Sequence, residues 1–472
     1  MLKVIQSTKK IKAMNRRNFI KIIGAAGTAA TAAACTSELK PNAVSVIPDG
    51  AMTYRKNKDG EEISLLGYGC MRLPVKMSET GEKTKEIDQE MVNELVDYAI
   101  EHGVNYFDTA PMYHGGMSEV AMGIALARHP RESWQIATKM STQRIFDRDK
   151  ALEMYHNSFK YLQVDYIDYY LLHSVGGRDG MDTFNKRFID TGMLDFLLAE
   201  REAGRIRHLG FSFHGDVKVF DYLLSINDRC KWDFVQIQMN YVDWHYAEDN
   251  LSRNINAEFL YGKLEALGIP VVIMEPLLGG SLANVSDSAV ERMLSREPDR
   301  SVASWAFRFC GTYPGVMTVL SGMTYMEHLK DNLKTFSPFK PLSEDELKML
   351  EQIAGEYANY PLVPCTGCRY CMPCPYGIDI PAIFTHYNKC VKAGDIAEEV
   401  GDKHWKKARR AFLVGYDRSV PRLAQASHCI GCGQCTDSCP QQIAIPKQLQ
   451  HIDRYVEKLK KNGVETRRKK TE

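Results

Sequence analysis

Eight of the thirteen cysteines stand in two short runs. The first, CTGCRYCMPCP, carries Cys365, Cys368, Cys371 and Cys374 and closes on Cys-Pro. The second, CIGCGQCTDSCP, carries Cys429, Cys432, Cys435 and Cys439 and closes the same way. Cysteines in such a pattern can bind iron, bind zinc or pair as disulfides. Cysteines two residues apart bridge readily only in special redox motifs, so the spacing argues against disulfides. Structural zinc sites commonly combine two C-x2-C pairs, whereas each run here is a triplet with a trailing fourth cysteine. That pattern favours iron–sulfur chemistry. The scattered Cys70, Cys230 and Cys310 read as small buried hydrophobes, and Cys390 as a packing residue between the runs.

A second set of residues points to other chemistry. Asp108 stands in FDTAPMY, with Tyr113 five residues on, Lys139 in IATKM and His173 in YLLHS. A phenol titrates near about 10 and is a poor acid or base at neutral pH. An ammonium beside it is expected to favour the phenolate and lower that value. The ammonium needs a counter-ion if the site is partly desolvated, and an aspartate supplies one. A histidine can hydrogen-bond a substrate oxygen and orient it. Together they suit protonation of a carbonyl oxygen while hydride arrives at its carbon. Each residue alone has a bland structural explanation, so the case rests on their meeting at one place.

The elements that would bring them together are legible from about residue 64 to 335. Eight apolar runs are SLLGYG, VNYFDTA, WQIATKM, IDYYLLHS, IRHLGFS, FVQIQMN, PVVIMEP and GVMTVLSG. Helical patterns separate them; Leu95, Val96, Ala99 and Ile100, for instance, share one face. A longer helical stretch is expected over residues 182–204. Strands alternating with helices imply parallel βαβ units, and eight of them imply a closed (β/α)8 TIM barrel. A doubly wound sheet would show G-x-G-x-x-G after its first strand, and GYGCMRLP is not that motif. In such barrels catalytic groups stand at the C-terminal ends of strands. Asp108, Lys139 and His173 end the second, third and fourth runs, and Tyr113 lies in the loop after the second.

FDTAPMY, IATKM, YLLHS and IRHLGFS resemble the aldo-keto reductase superfamily over residues 50–355. The resemblance implies that Tyr113 is the general acid/base, that Lys139 and Asp108 tune it, and that His173 positions the carbonyl. It also implies a nicotinamide cofactor, NAD(P)H, at the same barrel face. Ser212 and Gln236 match positions that hold the carboxamide, and Asn332 matches a further cofactor position. Phe213 stands where the family commonly has Asn, and Met274 where an aromatic commonly stacks on the nicotinamide. Gly322 and His328 replace the Lys and Arg that pair with a 2′-phosphate in many NADPH-specific members. NAD, NADP or a different planar cofactor therefore stay open.

Residues 356–460 form the second domain. The run from Cys429 has the spacing C-x2-C-x2-C-x3-C-P of bacterial ferredoxins, and the run from Cys365 is one residue tighter before its fourth cysteine. In two-cluster ferredoxins the fourth cysteine of each run ligates the other cluster, so a shortened last gap is tolerable. The expected quartets for two [4Fe–4S] clusters are Cys365, Cys368, Cys371 and Cys439, and Cys429, Cys432, Cys435 and Cys374. The intervening stretch reads as helical and resembles the α-helical ferredoxins. A nicotinamide moves two electrons and a [4Fe–4S] cluster one, so coupling them calls for a carrier able to do both, and a flavin is the candidate. The resulting expectation is an exported oxidoreductase interconverting a carbonyl and an alcohol, with electron transfer through two clusters. The alternatives are an electron-transfer protein with a catalytically idle barrel, and a reductase with purely structural clusters.

The segment MNRRNFIKIIGAAGTAATAAAC has Arg16 and Arg17 ahead of the uncharged stretch Ile22–Ala34. That stretch is short for a membrane span and resembles the core of a twin-arginine (Tat) signal peptide over residues 1–35. The protein is therefore expected in the periplasm. It is expected at a membrane only if Cys35, which follows three alanines, is lipidated. The expected partners are a small carbonyl or alcohol and an unidentified redox partner. Across 472 residues the net charge is +1, which gives no electrostatic case for nucleic acid. Residues 461–472 read as a solvated basic tail.

Overall fold

The computed structural model describes residues 51–78, 83–143, 145–177, 180–250, 254–359, 362–396, 404–439, 441 and 443–468. The expected signal segment and Cys35 lie outside the described residues. Each of the eight apolar runs forms one strand: Leu66–Gly69, Tyr106–Asp108, Gln135–Met140, Ile167–Val175, Ile206–Phe213, Phe234–Gln238, Val271–Met274 and Val316–Ser321. Each strand pairs parallel with the next and the eighth pairs with the first, closing the (β/α)8 barrel. A short antiparallel hairpin, Tyr54–Lys56 with Glu62–Ser64, precedes the first strand, and its Ile63 joins the barrel interior.

The period of two along a strand decides which side chains reach the site. Tyr106, Ala137, Tyr169, Leu171, Phe234 and Val272 point inward and fill the barrel. Their neighbours Phe107, Ile136, Tyr170 and Val235 point outward into the core shared with the helices. Two residues beyond each interior position comes the next inward side chain, one layer nearer the C-terminal end. From Tyr106 that is Asp108, from Ala137 it is Lys139, from Leu171 it is His173, and from Phe234 it is Gln236. The hydrophobic plug thus forms the floor of a polar mouth.

The helices hold this frame from outside. Gln89–Glu101 is capped by Asp88, whose carboxylate accepts from the Met91 N–H at 3.2 Å. Its buried face is Val92, Leu95, Val96 and Ala99, and each large apolar side chain buried this way stabilises by about 1.5–3 kcal/mol. The helical stretch expected over 182–204 is broken. A helix Gly180–Phe184 runs into a π-turn, Asn185–Ile189, and a new helix starts at Met193 after Gly192 in the left-handed region (φ 65°). The widened turn sends the Arg187 guanidinium inward, where it donates to the carbonyl oxygens of Met140, His173 and Ser174. Apolar periodicity alone does not register such a turn.

The cysteine-rich region has its own small core. The helices Ile380–Lys392, Trp405–Ser419 and Ile445–Arg468 pack Phe384, Phe412, Tyr416, Leu449 and Ile452 together. The helix Glu344–Ala358 runs through residue 355, and a full capping box of Ser343 and Glu346 starts it. The last helix extends to Arg468, so the first part of the basic tail continues that helix. Barrel and cysteine region belong to one compact unit. Among the described residues no helix is long and apolar enough to cross a membrane.

Candidate active site and cysteine quartets

Lys139 Nζ donates to Asp108 Oδ1 at 2.5 Å and to the Thr109 carbonyl oxygen at 2.7 Å. Both side chains of the pair are buried. Gln236 Nε2 adds a long contact of 3.5 Å to Asp108 Oδ2. Burial pushes the Asp108 carboxyl up, and the ammonium and the amide oppose it. A carboxylate in this place needs its cation, and the cation needs the carboxylate.

Tyr113 opens a single turn, Tyr113–Gly116, in which His114 and Gly115 adopt φ of 51° and 64°. His114 Nε2 accepts from the Leu73 N–H at 2.9 Å and fixes this turn. The Lys139 ammonium lies 5.1 Å from the centre of the Tyr113 ring. The expected lowering of the Tyr113 pKa is not found. Burial pushes the phenol well above 10.0, and nearby Asp108, Tyr370, Cys70 and Glu275 add to the effect. Lys139 gives two of its three N–H donors to Asp108 and Thr109, and the Asp108 carboxylate offsets part of its charge at the phenol. Tyr113 is held as a neutral phenol.

His173 stands edge-on to Tyr113, ring centres 6.2 Å apart. Its Nδ1 lies 2.5 Å from Ser141 Oγ. Burial holds the imidazole well below its ordinary value, and the charges of Lys139, His214 and Arg187 act in the same direction. The ring is neutral, and Ser141 together with the Arg187 bond to the His173 carbonyl fixes its place. No motif in the sequence marks Ser141, although it lies two residues beyond Lys139 on the same inward face.

Asp108, Tyr113, His173, Gln236 and Asn332 line one cavity of about 2730 Å³ at the C-terminal end of the barrel. Lys139 lies just beneath. Gln236 Oε1 is buried there without a hydrogen-bond partner. A primary amide such as that of a nicotinamide is the type of donor it lacks. Asn332 Nδ2 donates to Ser321 Oγ at 2.7 Å at the same wall. Ser212 does not line the cavity: it is buried and its Oγ accepts from the Ser174 N–H at 2.8 Å. The bulge at the end of the fourth strand, with Ser174 at φ 52°, places that N–H over Ser212. Glu275, absent from the expected set, sits at φ 56° at the end of the seventh strand, and its Oε2 accepts from the Gly279 N–H at 2.6 Å. A left-handed glutamate cannot be read from PVVIMEP.

The opposite wall of the cavity comes from the cysteine region, through Thr366, Cys368, Tyr370 and Cys439. Among the described residues, none of the eight cysteines of the two runs is paired in a disulfide. Burial pushes the Cys371 thiol up to about 12, and the nearby sulfurs of Cys368, Cys365 and Cys439 add to it. Burial likewise raises Cys435, with Cys429, Cys374 and Cys432 adding to it. The fourth cysteine of each run thus lies with the first three of the other. Among the described residues no three His, Cys, Asp or Glu side chains meet closely enough to hold a single metal ion. Cys390 is buried against His386, apart from both quartets.

Residues 66–354 match the model of the aldo/keto reductase family, and residues 364–445 match a 4Fe-4S dicluster domain. The chain is 28% identical over 350 residues to the "Protein tas" of Escherichia coli strain K12, covering 64% of this chain and 96% of that protein. It is 22% identical over 320 residues to the L-galactose dehydrogenase of Arabidopsis thaliana, covering 62% and 90%. Among solved structures, an aldo-keto reductase of Bacillus halodurans in its holo form superposes with a TM-score of 0.50 at 22% identity, over 64% of this chain and 96% of that one.

Proposed function

Since the chain belongs to the aldo/keto reductase family, we propose that it is an exported oxidoreductase that interconverts a small carbonyl compound and its alcohol at the barrel mouth, and exchanges electrons with two [4Fe–4S] clusters by way of a carrier able to move one or two electrons, for which a flavin is the candidate. The observation that carries the reading is the buried Lys139–Asp108 pair beneath a neutral Tyr113 and a neutral His173. Gln236, with its unpartnered Oε1, and Asn332 would hold the cofactor's amide end and an adjoining group. When bound, a nicotinamide supplies the hydride and takes it back in the reverse direction.

The protein's own part is proton chemistry. With Ser141 Oγ–H donating to Nδ1, the single proton of the neutral His173 ring sits on Nε2, where it can donate to a substrate oxygen. Tyr113 then gives its O–H proton to that oxygen as the carbon is reduced. The phenolate left behind is stabilised by the Lys139 ammonium beneath the ring and recovers its proton from solvent. The raised Tyr113 pKa keeps the phenol protonated for reduction but makes it a weaker acid, so the Lys139 ammonium has to offset that as the proton leaves.

In the cysteine region, Cys365, Cys368, Cys371 and Cys439 would hold one cluster, and Cys429, Cys432, Cys435 and Cys374 the other. Their grouping across the two runs supports this, as does the match to a dicluster domain. Export rests on the twin arginine and the apolar stretch that follows it.

Anaerobically purified protein tests the reading with NADPH or NADH and an aromatic aldehyde. Tyr113→Phe is expected to lower carbonyl reduction by about 10²–10⁴-fold while leaving iron and sulfide contents unchanged. A variant as active as the parent would overturn the assignment of Tyr113 and leave the barrel catalytically idle.

A further inference from the structure

Tyr370 belongs to the loop between Cys368 and Cys371, yet it lines the cavity that holds Tyr113 and His173. Its hydroxyl is buried and has no hydrogen-bond partner within the protein. A buried phenol in that condition is costly unless a bound molecule accepts its hydrogen. The loop is pinned to the barrel mouth at two points. Arg72 Nη2 donates to the Thr366 carbonyl oxygen at 2.5 Å. Gly279, at φ 66°, leaves no room for a β-carbon because Thr366 presses against it. Tyr370 is also close enough to Tyr113 to contribute to its raised pKa. Arg72 holds the Thr366 backbone, and Gly279 packs against the Cα and the short branched side chain of the same residue.

We propose that the cysteine region completes the active site, and that Tyr370 is a specificity-determining residue whose hydroxyl donates to an oxygen of the bound carbonyl compound. This rests on the reading of the barrel mouth as the reacting site. The substrate class it selects is a carbonyl compound with a second oxygen function, a hydroxyl, ether or further carbonyl, placed toward the cysteine loop. The reacting oxygen is served by Tyr113 and His173, and Tyr370 reaches from the facing wall. Because Tyr370 is flanked by two expected ligands of one cluster, an occupied cavity also lies against that cluster. The other quartet contributes no cysteine to the cavity wall, so the clusters are ordered, with the Cys365 quartet next to the substrate.

Two measurements on full-length, iron-replete protein test this. The first is steady-state reduction of phenylglyoxal, an aldehyde with an adjoining carbonyl, and of phenylacetaldehyde, which lacks it. Tyr370→Phe is expected to raise KM for phenylglyoxal about tenfold, with kcat within about threefold and KM for phenylacetaldehyde unchanged. The second is the electron paramagnetic resonance spectrum of dithionite-reduced protein with and without 1-phenyl-1,2-ethanediol, the corresponding diol. In the parent the diol is expected to shift the signal of one cluster, and in Tyr370→Phe that shift is expected to disappear.

Equal loss or equal retention of both aldehydes in Tyr370→Phe would overturn the specificity role. A parent spectrum unmoved by the diol would overturn the placement of the cluster beside the substrate, even if the variant failed to fold. Should the parent reduce neither aldehyde, the carbonyl reading of the barrel falls. A diol-induced shift that depends on Tyr370 would still uphold the residue's place in the binding site.

Discussion

The barrel mouth and the cysteine region solve the burial of reactive groups in opposite ways. In the mouth the protein supplies the partner: Lys139 has Asp108 and Thr109, His173 has Ser141, and Asn332 has Ser321. Each of these contacts is made within the chain, so the polar groups of the mouth are oriented by protein partners. In the cysteine region thiols crowd one another: burial pushes Cys365 and Cys371 up, and the nearby sulfurs add to it. That crowding is unfavourable for thiolates without a metal cluster and favourable with one. The cysteine core is also much smaller than the barrel core. One region should therefore stand without its prosthetic group, whereas the other should depend on it.

The sharpest way to break that comparison is to remove the clusters. Cys371→Ser and Cys435→Ser each attack a different quartet. Iron analysis is expected to fall from about eight per chain to about four or fewer. Limited proteolysis is expected to open the region between 362 and 459 while a fragment containing the barrel persists. Cleavage no faster than in the parent would mean that the small apolar core suffices by itself.

The next largest effect belongs to the barrel. Lys139→Met leaves the buried Asp108 carboxylate without its cation, and removing one partner of a buried pair costs about 3–5 kcal/mol. Urea unfolding should register that loss, with the iron content held at the parental value. Adding Asp108→Asn to the same chain should restore part of the stability and none of the carbonyl reduction. A Lys139→Met protein as stable as the parent would show that the pair is not the keystone of the mouth.

The same contrast explains what could be read from the sequence. The barrel was legible because each strand is a short apolar run, and several carry a polar residue at or near the C-terminal end. The period of two then carried Asp108, Lys139, His173 and Gln236 to the same end. Cys365 to Cys439 was legible because the Cys-Pro endings mark residues that reach across to the other run. Local pattern did not reveal that Gly192 and the π-turn at Arg187 divide one helical stretch, since the cause is a guanidinium turning inward to three carbonyls. Ser212 matched a cofactor position by its place in IRHLGFS, but a bulge one strand away presents the Ser174 N–H to its hydroxyl. Tyr370 was hidden most deeply. Its meaning comes from Tyr113, more than two hundred residues earlier, and from the glycine that lets the two regions touch.

The smallest effect separates the barrel's response to acid from that of its neighbour. Burial lowers His214 to about 4, with Lys139 acting in the same direction. An unfolded histidine titrates near about 6.5. Between those values the unfolded chain binds the proton and the folded chain does not, so stability rises with pH across the window and is lost as pH falls. Asp108 and Glu275, both raised by burial, act in the opposite sense as pH rises from the acidic side. A difference between proteins therefore isolates the histidine. Between pH 7 and pH 5 the parent should lose about 1–2 kcal/mol more than His214→Gln in urea unfolding of the barrel transition. Equal losses would mean that water entering the cavity hydrates the imidazolium, and the mouth would then be less sealed than its hydrogen bonds imply.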